Sequence, residues 1–194
     1  MEQKEKRKVR YTKMVLRDSL MELMKTRAIL SISIKDICEL ADISRSTFYA
    51  HYKDQYDLLR QIEEETLAYF EGMLDKYKDK LSKKETTLMV EEMLTYIANN
   101  GDTIQVLLSE NGDISFQKKL FYHFIMHNQI TKYFSEKQLT SAAGTNDETK
   151  THYSVFLVHG FIGLIQYWLK NNMVMPVPQL AKMMMKWTEQ QIKF

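Results

Sequence analysis

Apolar residues recur at helical spacing along most of the chain, and within residues 33–53 that recurrence stops and restarts across a two- or three-residue break. In this stretch, SIKDICELADISRSTFYAHYK, Ser33 is placed to cap a helix whose Ile34, Ile37, Cys38, Leu40 and Ala41 form one apolar stripe. Asp42 occupies the turn, because Asp tolerates the left-handed conformation better than most residues other than glycine. Ile43 returns to the core. Ser44 then caps a second helix with Phe48 and Tyr52 facing inward, which leaves Arg45, Ser46, Thr47, Tyr49 and His51 on or near the outer face. Two short amphipathic helices joined by a tight turn predict a helix-turn-helix. Its outer face carries donors and little acidic charge, which is the chemistry needed to touch base edges in a major groove.

The pattern on either side fixes the remaining elements. Thr12 is expected to cap a first helix with Val15, Leu16, Leu20, Leu23 and Met24 inside, ending near Thr26 or Arg27. Asp54, with Asp57 three residues on, opens a long fourth helix whose stripe runs through Leu58, Ile62, Leu67, Phe70 and Leu74. No Pro or Gly pair interrupts its start, so it is expected to bridge two domains rigidly. Helical blocks follow at 84–99, 102–109, 114–134, 151–171 and 178–192, punctuated by Asn99-Asn100-Gly101, Asn111-Gly112 and Pro176-Val177-Pro178. The polar run 135–150 reads as a loop. The prediction is an all-α protein: an N-terminal three-helix helix-turn-helix domain (1–55) joined by the fourth helix to a C-terminal helical domain (56–194).

Composition agrees: the 194 residues include only 2 Pro and 6 Gly, and 44% are hydrophobic, enough for a core. The single cysteine, Cys38, lies on the buried stripe and reads as a small core residue in a reduced, cytoplasmic setting. No apolar run reaches membrane-spanning length, and the basic start is not followed by a signal-type apolar segment, so a soluble, non-exported protein is expected. Charge is unevenly placed. Residues 1–17 carry seven Lys or Arg against Glu2 and Glu5. Residues 1–60 hold 13 basic against 9 acidic groups, and the remainder 14 against 16. The cationic end is the helix-turn-helix end, and such an arm is attracted to phosphate by counterion release.

Other constellations carry less. His123 and His127 have metal-ligand spacing, but two ligands without a local Cys or carboxylate do not make a site, and no metal is expected. The thirteen Met residues read as core and pocket filler. There is no HExxH, P-loop, GxSxG or cysteine placed as a nucleophile, so no enzyme and no cofactor are expected.

The helix-turn-helix resembles that of the TetR family of bacterial transcriptional regulators: Ile34-Lys35-Asp36-Ile37, Ala41, Ile43-Ser44-Arg45, then Thr47-Phe48-Tyr49-Ala50-His51-Tyr52-Lys53 and Asp54. The likeness covers roughly residues 10–60. Asp42 stands where Gly is usual and Cys38 where Ala is usual. The segment GFIGLIQYWLKNNM, 160–173, is similar to the C-terminal domain of a subgroup that includes regulators of dihydroxyacetone kinase operons. The resemblance implies a DNA-binding surface of Ser44, Arg45, Ser46 and Thr47 in the major groove, with Tyr49, His51 and Lys53 on phosphates. It implies a homodimer formed by 151–171 and 178–192, with Phe156, Phe161, Ile165, Trp168, Met184 and Trp187 at the interface. It also implies an effector pocket, for which Tyr96, Phe121, Tyr122, His123, Phe124 and Tyr153 are candidates. The expected function is repression of a pseudo-palindromic operator, released by a small-molecule effector. The alternative is a regulator, an activator included, controlled by a partner protein on the C-terminal domain.

Overall fold

The computed structural model describes residues 2–77, 82–126 and 147–189. Among them are nine α-helices, one short 3₁₀ turn and no strand: α1 (Glu2–Met24), the turn Ile29–Ser31, α2 (Ile34–Ala41), α3 (Arg45–Tyr49), α4 (Gln55–Tyr77), α5 (Lys83–Asn99), α6 (Gly101–Leu107), α7 (Ile114–Met126), α8 (Asp147–Lys170) and α9 (Val177–Glu189).

Helix starts are written locally. Ser33 and Asp36 form a reciprocal capping box, with Asp36 N–H donating to Ser33 Oγ at 3.2 Å and Ser33 N–H to Asp36 Oδ2 at 2.9 Å. Ser82 and Glu85 repeat the device at α5. At α4, Asp54 Oδ1 accepts the Asp57 N–H at 2.7 Å, and the Asp57 carboxylate reaches back one residue further, to Lys53 N–H at 3.0 Å. That backbone bond is the first cause holding the Asp57 carboxyl below the usual carboxylate range.

Two boundaries differ from expectation. Thr12 does not cap α1; it is buried inside a helix that begins at Glu2, because residues 2–11 contain good helix formers and nothing that breaks a helix. The polar run expected as a loop over 135–150 is helical at 147–150, where the first turn carries Asp147 and Glu148, charges that suit a helix start. Residues 127–146 lie outside the described set, as do the last part of the predicted 114–134 helix and His127.

The chain forms two compact units. The first comprises 1–67 and 102–117, the second 68–101 and 118 onward. The N-terminal unit therefore extends past the expected boundary at 55, and it gains α6 and the start of α7. Sequence distance hides this, but the physical reason is visible: Ile104, Val106, Leu107, Leu108 and Phe116 are buried, and Asp102 pairs with Lys25 at the end of α1, 3.5 Å away. The loop between α6 and α7 is fixed by Gln117 Nε2, which donates to the carbonyls of Leu107 and Ser109 at 3.0 and 2.8 Å. Gly112 belongs there because a Cβ would meet the Leu107 carbonyl oxygen at 2.4 Å. In the second unit α5 packs on α9, around Leu94, Leu180, Ala181 and Met184.

Asp42 ends α2 in the left-handed region, φ 52 and ψ 44, with the Ile43 N–H closing back on Cys38 O at 3.0 Å. A side chain at this conformation carries strain that glycine avoids. Asp42→Gly is therefore expected to raise stability by about 0.5–1 kcal/mol, a gain of roughly 2 °C in Tm for a chain of this size. A lower Tm would show that the Asp42 side chain contributes more to the turn than its strain costs.

Candidate nucleic-acid interface

The helix-turn-helix is assembled from its buried side inward. Ile37, Cys38 and Ala41 of α2 and Phe48 of α3 are buried, with Leu16, Leu20 and Met24 of α1 and Ile32 also in the core of this unit. Burial pushes the Cys38 thiol up, as expected for an unreactive core cysteine. Leu40 departs from the predicted stripe. It is exposed, because the stripe of an eight-residue helix is already filled by Ile37, Cys38 and Ala41. Phe48 meets Tyr49 edge-on at 5.8 Å and Tyr52 at 5.7 Å, and the Lys13 ammonium stands 5.8 Å from the Tyr52 ring centroid. Phe48 is thus the pin that fixes how α3 is presented.

The predicted surface residues fall as follows. Ser44 caps α3 with its side chain. Arg45, Ser46 and Tyr49 are exposed, and Thr47 is half-buried. His51 is half-buried with its ring 6.4 Å from that of Tyr52. Lys53 is exposed while its backbone N–H is held by Asp57, so its ammonium is free to move on an anchored backbone. These seven residues lie within one turn, one short helix and the start of the next. Lys35 on α2, exposed and 3.6 Å from Glu39, is a further cation on this unit; its position three residues after the capping serine's predecessor gave no distinguishing signal.

The basic arm is a regular part of α1. Arg7, Lys8, Arg10 and Lys13 are exposed on it, together with Tyr11 and Met14. Arg17 is committed elsewhere, to Glu65 at 2.7 Å.

The C-terminal candidates disperse. Tyr96 stacks on Tyr69 at 3.6 Å, Phe121 stacks on His159 at 4.4 Å, Tyr122 is 62% exposed, His123 Nε2 lies 3.0 Å from Glu71, and Tyr153 donates to the Thr188 carbonyl at 3.4 Å. Of the six, Phe124 lines an apolar cavity of this unit, among the described residues. The other walls are Met93, Leu157, Val158, Phe161, Ile162 and Ile165, and the volume is about 40 Å³. Phe161 and Ile165, expected at an interface, thus face this cavity. Ile165, Trp168 and Met184 are buried in their own chain, with Trp168 Nε1 donating to Met175 O at 2.8 Å. Phe156 and Trp187 are 63% and 54% exposed. On α8, Phe156 with His152, Val155, His159, Gly160, Gly163, Gln166 and Tyr167 forms an exposed stretch without a formal Lys, Arg, Asp or Glu, with exposed Glu148 and Lys170 at its two ends, and a Cβ on either glycine would meet nothing. No helix among the described residues is long and apolar enough to cross a membrane.

Comparison with known proteins follows the same lines. Residues 84–190 match a TetR-type family model described as the transcriptional regulator C-terminal region. An uncharacterized HTH-type transcriptional regulator of Bacillus subtilis (strain 168), YxbF, is 24% identical over 116 residues, 57% of this chain; the match spans 30% of that protein's length. Among solved structures, a TetR transcriptional regulator from Streptococcus agalactiae 2603V superposes with a TM-score of 0.62 at 21% identity, covering 98% of this chain and 100% of that one. The dihydroxyacetone kinase operon activator DhaS gives 0.53 at 17% identity, over 91% and 93%. At these identities the likeness is one of fold.

Proposed function

The chain belongs to the TetR family of transcriptional regulators, a family of DNA-binding proteins and not of enzymes, and we propose that it acts as a homodimer that represses a pseudo-palindromic operator and is released by a small-molecule effector. The observation that carries the DNA role is the presentation of Arg45, Ser46 and Tyr49 on the open side of a helix pinned from behind by Phe48. Arg45, Ser46 and Thr47 take the base edges, with Arg45 suited to bidentate contact with guanine. Tyr49, His51 and Lys53 take phosphates, and the exposed cations of α1 add to the electrostatic attraction. The uncharged outer face of α8, with Trp187 of α9, supports a second copy as the partner, and a dimer supplies two half-sites one helical turn apart, ~34 Å.

For the effector, the described part of the cavity wall, Met93, Phe124, Leu157, Val158, Phe161, Ile162 and Ile165, carries apolar side chains, which supports an uncharged, apolar molecule. Its small volume supports the second reading. As built the cavity falls well short of the ~300–1,000 Å³ of ligand pockets, so a partner protein bound to the C-terminal unit is the alternative controller.

Selection of bound fragments from the source genome tests the reading. Enrichment of an inverted repeat is expected, and recovery of no common sequence would oppose it. On the selected operator, Lys53→Ala is expected to weaken binding to all sequences alike and flatten the dependence of log K on log salt by about one unit. An unchanged slope would remove Lys53 from the phosphate contacts.

A further inference from the structure

Three hydroxyls meet at the start of α3. Ser44 Oγ lies 2.9 Å from Ser46 Oγ and 2.8 Å from Thr47 Oγ1, and it accepts the Thr47 backbone N–H at 3.2 Å. A hydroxyl has one proton to donate and two lone pairs. One lone pair of Ser44 is used by the Thr47 N–H. To keep both remaining contacts, Ser44 must donate its proton to one neighbour and accept a proton from the other.

The consequence lies with the neighbours. The hydroxyl that receives the Ser44 proton keeps its own O–H for an outside acceptor. The hydroxyl that gives its proton to Ser44 has only lone pairs left to present. The cluster therefore offers the outside a single hydroxyl donor, on Ser46 or on Thr47, and rotation of the Ser44 hydroxyl moves that donor from one to the other. No charged side chain is hydrogen-bonded within the cluster, so the proton is shared among the three hydroxyls.

In the major groove, G offers N7 and O6, A offers N7 and T offers O4 as acceptors, while the amino groups of A and C are donors. We propose that Ser44 couples the base readouts of Ser46 and Thr47 through this shared proton, so that an operator presenting acceptor edges to both hydroxyls is penalised beyond the sum of its parts. Ser44 is then a positioning residue that sets which neighbour donates. The proposal rests on the reading that α3 lies in the major groove.

The test is the affinity of the full-length protein for duplexes in which the base pairs facing α3 are varied singly and in pairs. The combination with two acceptor edges is expected to bind about 5- to 10-fold more weakly than the product of the two single-base effects, the equivalent of one hydrogen bond left unmade. Thr47→Val keeps the Thr47 N–H bond that caps α3, and it is expected to abolish this deviation while base preference at the Ser46 position persists. Ser44→Ala is expected to abolish it as well, with a Tm measured in parallel because this variant also loses the cap. Ser44→Thr is expected to restore it. Additive behaviour in the unmodified protein, or a deviation that survives Thr47→Val, overturns the coupling. Base preferences left untouched by Arg45→Ala, Ser46→Ala and Thr47→Val together overturn the groove placement of α3 instead.

Discussion

Phe48→Ala is expected to lower stability by about 3–5 kcal/mol and to abolish operator binding. The ring is fully buried, at 0% exposure, and touches both Tyr49 and Tyr52. Its removal leaves a cavity in the N-terminal unit. The functional effect exceeds the energetic one because α3 is only five residues long, too short to persist as a helix without a tertiary anchor. Urea unfolding followed by circular dichroism checks the energy, and a fluorescent operator duplex checks the binding. A loss below about 1 kcal/mol with operator affinity retained would mean that α3 is held by something other than this contact.

The second large effect concerns assembly. Phe156→Glu places a carboxylate in the middle of the uncharged outer face of α8. If that face is covered by a second copy, the symmetry of the pair buries two like charges without partners, at a cost of roughly 3–5 kcal/mol for each uncompensated charge. The variant is expected to sediment as a monomer at micromolar concentration while the unmodified chain sediments as a dimer, and its operator affinity is expected to fall by at least about 100-fold on losing one half-site. Because Phe156 is exposed in the single chain, the fold of each subunit should survive, and an unchanged circular dichroism spectrum separates loss of assembly from loss of folding. A variant that stays dimeric would move the interface away from α8.

Much of the N-terminal unit was readable from sequence because its determinants are local. Ser33, Ser44 and Asp54 act on residues three positions away, and Ile37 and Phe48 follow the helical period, while Tyr52, expected on the second helix, is buried beyond its end at Tyr49. Thr12 failed as a marker of a helix start because a capping residue stops nothing when the residues before it are themselves strong helix formers. Leu40 failed because hydrophobicity at the end of a short helix does not say that a neighbour is there to cover it. The assignment of 102–117 to the N-terminal unit depends on packing between segments far apart in sequence, which no periodicity reports. The C-terminal site was the least legible. When a helix is apolar on several faces, as α8 is, sequence alone does not tell which of Phe156, Phe161, Ile165 and Trp168 points to its own core. Aromatic residues crowded at 121–124 suggest a pocket, yet consecutive positions on a helix point in different directions, and of these Phe124 is the one among the described cavity walls.

The most direct measurement of the central claim is the affinity of the unmodified protein and of Arg45→Ala for the selected operator and for versions with each base pair of one half-site replaced. The account predicts that Arg45→Ala weakens binding to the operator by about 1–3 kcal/mol and erases the preference at one G·C pair while leaving the others in place. An equal loss on every duplex, or no loss at all, would contradict the assignment of α3 as the element that reads sequence.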